Sequence, residues 1–223
     1  MARGDGARSV SERQLQRVSC RSLTLRAQRH EMNYLAHMFL SDGSPEALVG
    51  NLAGDFVRGI DVSSLDSEVR AGVELHRAVD RFTDSHPVVM RSRSRLPASW
   101  RHYRGVLIDV FYDHFLARDF ETHAGEPLKV FAAKVYSALV AQHDSLPPRL
   151  QRAAPVMIEH DWLQAYSRIE GLEVVLQGMS RRARREVALH ESTGVLREEY
   201  TALQEDFDCF FPELRKFARQ HSV

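Results

Sequence analysis

"GVLIDVFYDHFL", residues 105–116, is apolar at nearly every position yet carries Asp109, Asp113 and His114. Wound as a helix, it spreads Val106, Leu107, Ile108, Val110, Phe111, Phe115 and Leu116 around almost its whole circumference. A helix that is apolar on all sides is a buried one. A charge buried without a partner is too costly to keep. The stretch therefore predicts a central helix in a helical core, and a reason inside that core for acidic groups.

The flanking sequence agrees on helix. "MNYLAHMFL" from Met32 is a short apolar helix closed by the turn-rich "SDGSP", and "EALVGNLAGDFVRG" is a second, with Gly59 as its stop. "DVSSLDSEVRAGVELHRAVDRFTDSHP" opens on a capping stretch and runs helically to Pro87. "LKVFAAKVYSALVAQH" repeats apolar residues every three or four positions, and "SLPPRL" breaks it. Two or three amphipathic helices follow, among them "VALHESTGVLREEYTALQEDFDCFFPELRKFARQ". No stretch alternates long enough to read as a strand. The expected fold class is all-α, a single-domain helical bundle over residues 32–223.

Residues 1–31 differ. They hold seven arginines, many serines and no apolar stripe. A transit-like peptide is opposed by Asp5, Glu12 and Glu31. The expectation is a disordered extension, or a start assigned upstream of a true Met32. Elsewhere the composition is that of an ordinary globular protein, 43% hydrophobic and 27% charged with formal net charge zero. No global field points to nucleic acid or a lipid surface. No apolar run is long enough to span a membrane. Cys20 and Cys209 lie far apart and form no redox or metal motif, which fits a cytoplasmic, reducing setting.

The acids of the opening stretch have company. Asn33 and His37, Asn51 and Asp55, His76 and Asp80, and Asp109 and Asp113 are each four apart. Residues at i and i+4 share a helix face. Four helices thus each offer a pair of polar side chains from apolar surroundings, the way bundles build metal sites. Each alone has a plainer reading: His37 as a hydrogen-bonded core histidine, Asp55 paired with Arg58, Asp80 with Arg77 or Arg81, Asp109 in a buried salt bridge. Together they are harder to explain without a cation, because acids sharing one core repel. Oxygen and imidazole donors suit Mn²⁺ or Mg²⁺ before Zn²⁺. Nucleophile elbows, phosphate-binding glycine loops and dinucleotide fingerprints are missing from the sequence.

As a set, "MNYLAH", "GNLAGDFVRG", "LHRAVDRFTDSHP", "RHYRGVLIDVFYDHFLA", "HDWLQAY" and "GMSRR" resemble the acyl carrier protein phosphodiesterases, from Met32 to near the C-terminus. The resemblance implies a divergent branch of the HD-type metal phosphohydrolases, all-helical and Mn²⁺-preferring. It implies cleavage of the phosphodiester between 4′-phosphopantetheine and a serine of holo-acyl carrier protein. The chain departs from the HD pattern in one respect: "DH" at 113–114 is reversed, the early blocks hold no "HD", and the "HD" at 160–161 lies near the C-terminal third. The expected metal ligands are Asp55, His76, Asp80 and Asp109. Asp55, Asp113, His114 and His37 are the expected catalytic groups, with His37 or His114 moving a proton near neutral pH. An HD-type phosphohydrolase of nucleotides or other small phosphoesters, and a non-catalytic helical binding module, are the alternatives.

An acidic carrier protein would need a basic docking face. Arg181, Arg182, Arg184 and Arg185 in "SRRARRE" form the densest run, and Arg91, Arg93 and Arg95 a second. A solvated charged face is the bland reading of either.

Overall fold

The computed structural model describes residues 34–182 and 187–221. Twelve α-helices follow one another among them: α1 Tyr34–Phe39, α2 Pro45–Ala53, α3 Ser67–Ser85, α4 Pro87–Arg95, α5 Arg104–Arg118, α6 Phe120–Ala124, α7 Leu128–Ala141, α8 Pro148–Glu159, α9 Trp162–Ala165, α10 Ile169–Arg182, α11 Ser192–Glu198 and α12 Tyr200–His221. Short 3₁₀ turns join several of them, and no strand occurs among the described residues. The all-α expectation holds. The expectation for residues 1–31 lies outside the described residues.

The central-helix reading of residues 105–116 is realised in α5. Every residue from Leu107 to Ala117 is buried, and α1, α4, α10 and α12 pack around it. Each large apolar side chain removed from water there contributes roughly 1.5–3 kcal/mol. One contiguous apolar core extends from Tyr34 to Ala218. Helix α12 closes it with Leu203, Phe207, Phe210, Phe211, Leu214 and Ala218, a stripe of helical period.

Helix starts follow local chemistry. Ser44 caps α2 by accepting the Ala47 N–H, with Pro45 at the first helical position. Asp66 caps α3 through the Glu68 N–H, and Pro87 enforces the break between α3 and α4.

The α2–α3 contact brings the two backbones together. A Cβ on Gly72 would lie 2.7 Å from the Asn51 nitrogen, and one on Gly50 would lie 2.5 Å from the Val69 carbonyl oxygen. Only glycine permits that approach. The "EALVGNLAGDFVRG" helix ends earlier than the sequence suggests. α2 stops at Ala53, and Gly54–Phe56 tightens into a 3₁₀ turn. That turn carries Asp55 under α3.

Candidate metal centre

Three elements converge. α1 brings His37, the 3₁₀ turn brings Asp55, and α3 brings His76 and Asp80 from one face. Asp80 turns one oxygen to each imidazole: Oδ1 is 3.0 Å from His37 Nε2 and Oδ2 is 3.2 Å from His76 Nε2. Asp55 Oδ1 lies 3.6 Å from His76 Nε2. The two rings stack, 3.8 Å between centroids. Gly54 makes room for this: a Cβ there would lie 2.2 Å from Cγ of His76.

His37, His76 and Asp80 each present a ligand atom, and these atoms lie within 4.8 Å of one another. His37 is 1% exposed; its Nε2 faces Asp80 Oδ1, and Nδ1 has no hydrogen-bond partner. Buried Asp55 Oδ2 is likewise unbonded. Orphaned buried polar atoms are expensive. A divalent cation uses such atoms as they stand, so imidazole nitrogen and carboxylate oxygen at this spacing fit one.

The charges are strongly coupled. Burial drives His37 below its ordinary pKa, and His76 adds to this. Burial would lower His76 too, but the close carboxylates of Asp55 and Asp80 and their charges outweigh it and carry it up to about 10. Burial raises Asp55.

Asp109, Asp113 and His114 are not among those three ligand residues. Asp109 is buried on α5 and its pKa is pushed up to about 8. Burial is the main cause, opposed by Arg93 and reinforced by the charges of Asp80, Asp84 and Asp55. It lines a cavity of about 20 Å³, space for one water, with Ala36, Thr83 and Tyr112.

Asp113 does something the sequence did not suggest. Its carboxylate accepts the backbone N–H groups of Leu35 and Ala36, both at 2.9 Å, and so caps the N-terminus of α1 from another helix. Burial raises its pKa, and those two bonds oppose the rise. Its oxygens are spent on holding α1, the helix that carries His37. No spacing signal announces a cap that closes across 77 residues.

His114 is also committed elsewhere. Nδ1 lies 2.8 Å from the Tyr166 carbonyl, which only a donor can satisfy, so Nε2 at 2.9 Å accepts the Tyr200 hydroxyl. Asn51 turns back to its own helix through the Ala47 carbonyl. Asn33 lies outside the described residues.

Of the two basic runs, Arg181 is exposed at the end of α10. Arg184 and Arg185 lie outside the described residues, as does the side chain of Arg182. The second run is neutralised internally. Asp206 accepts from Arg91 Nε at 2.8 Å and Arg95 Nε at 3.2 Å, and Arg93 pairs with Asp84.

Fold and site together define an all-helical protein with a buried histidine–carboxylate centre. The chain belongs to the acyl carrier protein phosphodiesterase family, matching it over residues 32–214. It is 32% identical to the acyl carrier protein phosphodiesterase of Yersinia pestis over 193 residues, 86% of this chain and all of that protein. The Salmonella dublin protein of the same name is 33% identical with the same coverage. That of Shigella boydii is 33% identical over 82% of this chain and 95% of its own length. No solved structure matches the chain.

Proposed function

We propose that the protein hydrolyses the phosphodiester joining 4′-phosphopantetheine to a serine of holo-acyl carrier protein. Water adds to phosphorus, the P–O bond to the serine breaks, and the serine oxygen leaves with a proton. The products are apo-carrier protein and 4′-phosphopantetheine. Family membership over most of the chain supports the substrate. The observation that carries the chemistry is a largely buried cluster of three ligand atoms with an unbonded carboxylate oxygen of Asp55 close to it.

His37, His76 and Asp80 are the residues that would hold a divalent ion, Mn²⁺ in first place and Mg²⁺ in second. Such an ion supplies Lewis-acid polarisation of a phosphoryl oxygen and lowers the pKa of water. Asp55, with Oδ2 unbonded and its basicity raised by burial, is the group placed to take the proton of the attacking water. Asp113 holds α1 so that His37 meets His76. His114, with both nitrogens engaged, fixes α5 against Tyr166 and Tyr200. The reaction belongs in the cytoplasm, and no described helix is long and apolar enough to cross a membrane.

The test is the mass of holo-acyl carrier protein after incubation with the enzyme and Mn²⁺. Loss of the phosphopantetheine mass, abolished by chelator, is the expected result. An unchanged mass alongside turnover of nucleotides would overturn the substrate. Full turnover in excess chelator would overturn the metal.

A further inference from the structure

Of the three ligand residues, Asp80 reaches solvent most, with its side chain 18% exposed against 1% for His37 and 3% for His76. A substrate too large to enter the core must meet the centre over the Asp80 edge of α3. Asp84 lies on the same face one turn further, about 6 Å along the axis, and is exposed. It accepts a hydrogen bond from Nη2 of Arg93 on α4. The Arg93 guanidinium in turn lies over the start of α5. A Cβ on Gly105 would stand 3.4 Å from its Nη2 and 3.7 Å from its Nε. Gly105 shares a face of α5 with Asp109, one turn on. The charges of Arg93 and Asp80 both act on the Asp109 carboxyl, so the guanidinium and the cluster surround one group.

Arg93 is more than a surface ion pair. The dipole of α4 accounts for a cation in that helix's last turn. It does not account for a guanidinium resting on the N-terminal end of α5, which is itself electropositive. That end has no side-chain cap and no acid in its first turn. Arg93 Nε is buried without a hydrogen-bond partner among the described residues, and so is Nε of Arg104, the first residue of α5. Such donors are costly unless a ligand brings the acceptor. Asp84 engages one nitrogen of a five-donor fork, which orients the guanidinium without using it up.

We infer that Arg93 binds a non-bridging oxygen of the scissile phosphodiester beside the His37–His76–Asp80 centre, and that Asp84 positions its guanidinium. The inference rests on the phosphodiesterase reading above. Arginine suits the task, because its planar fork matches phosphate oxygens and stays charged. Arg93 itself makes and breaks no covalent bond. It holds the oxygen on which negative charge grows as water attacks phosphorus.

The experiment compares the Mn²⁺-loaded full chain with Arg93→Ala, Arg93→Lys and Asp84→Ala. Turnover is read on holo-carrier protein and on bis(p-nitrophenyl) phosphate, and binding of inorganic phosphate by titration calorimetry. In Arg93→Ala, kcat on both substrates should fall at least about a hundredfold. Phosphate affinity should fall at least about tenfold, with Mn²⁺ affinity and circular dichroism as in wild type. Millimolar guanidinium should restore part of the lost turnover. Arg93→Lys should fall between, since a point charge replaces the fork. Asp84→Ala should raise KM with a smaller loss in kcat. Unchanged phosphate affinity in Arg93→Ala, or a loss of Mn²⁺ affinity as large as its loss of turnover, overturns the role of Arg93 and leaves the reaction intact. A wild type that binds phosphate through Arg93 yet cleaves neither phosphodiester keeps the anion site and overturns the reaction.

Discussion

The imidazole of His37 lies face to face on that of His76, 3.8 Å between centroids and 22° between planes. Two imidazolium ions at that separation would repel, and the surroundings divide the roles. Burial and then the neighbouring ring lower His37, while Asp55 and Asp80 carry His76 to about 10 against the effect of burial. Without an ion, the pair therefore keeps its proton on His76 at neutral pH.

A metal ligand must be deprotonated, so that proton has to leave when an ion binds. Mn²⁺ uptake by the metal-free protein should release about one proton. Affinity should tighten up to about tenfold per pH unit as pH rises from 7 toward 10. Titration calorimetry in buffers of different ionisation heat measures both. Affinity that is flat between pH 7 and 9 would remove His76 from the ligand set.

Asp109 gives a second pH signature, with its own sign. Its folded-state pKa of about 8 lies above the ordinary 3.8, so between these values the folded chain holds a proton that the unfolded chain has lost. Stability of the metal-free protein must fall as pH rises through that window. Asp109→Asn removes the penalty. Its melting advantage over wild type should be larger at pH 9 than at pH 6 by roughly 3 kcal/mol, since the window from pH 6 up to the folded pKa of about 8 is worth about 1.4 kcal/mol per unit. An advantage of equal size at both pH values would mean the carboxyl is not held neutral by its site.

Gly54 tests how tightly the cluster is framed. The Cβ of Gly54→Ala would stand 2.2 Å from Cγ of His76, so the ring must move. Overpacking of this kind costs about 1–3 kcal/mol. The sharper expectation is at least about a tenfold loss of Mn²⁺ affinity, because misplacing a ligand weakens a site on the scale of losing its support. Wild-type affinity in this variant would show that His76 is not fixed by the turn.

Much of this was legible in the sequence, in proportion to how local the signal is. The buried helix at 105–116 and the pairing of His76 with Asp80 follow from helical periodicity within one element. The unusual density of acids in apolar helices pointed to a polar centre in the core. Two things could not be read. Asp55 reaches His76 because α2 ends at Ala53 and tightens into a 3₁₀ turn, where Gly54 meets the ring of His76 on another helix. Asp109 and Asp113 share a helix face and line one small cavity, but Asp113 also accepts the backbone N–H groups of α1. The neighbours of a helix that is apolar on every side are set by tertiary packing, which its own pattern does not encode. The arginines at 91, 93 and 95 read as a basic run in sequence, and their cancellation by Asp206 and Asp84 is again a long-range fact.

The different partners of Asp80 on α3 and Asp113 on α5 allow these two acids to be told apart. Asp80→Asn keeps shape and removes a charge that the cation needs. Turnover should fall at least about a hundredfold, while the metal-free protein should melt near wild type. Asp113→Asn replaces one acceptor oxygen by an N–H₂ that faces the donors of Leu35 and Ala36. One buried amide then loses its partner, at a cost of about 1–3 kcal/mol. An acid that merely repelled its neighbours in a cavity would tolerate Asn with no loss of stability. The position of Asp113 on the α1 N-terminus predicts the opposite. The melting temperature of Asp113→Asn should drop by several degrees with or without Mn²⁺, and amide exchange should speed first in α1. Turnover should fall because His37 is no longer held, and excess Mn²⁺ should recover part of it, whereas in Asp80→Asn it should recover little. If Asp113→Asn melted like wild type and lost its Mn²⁺ affinity outright, the carboxylate would belong to the ion rather than to the helix.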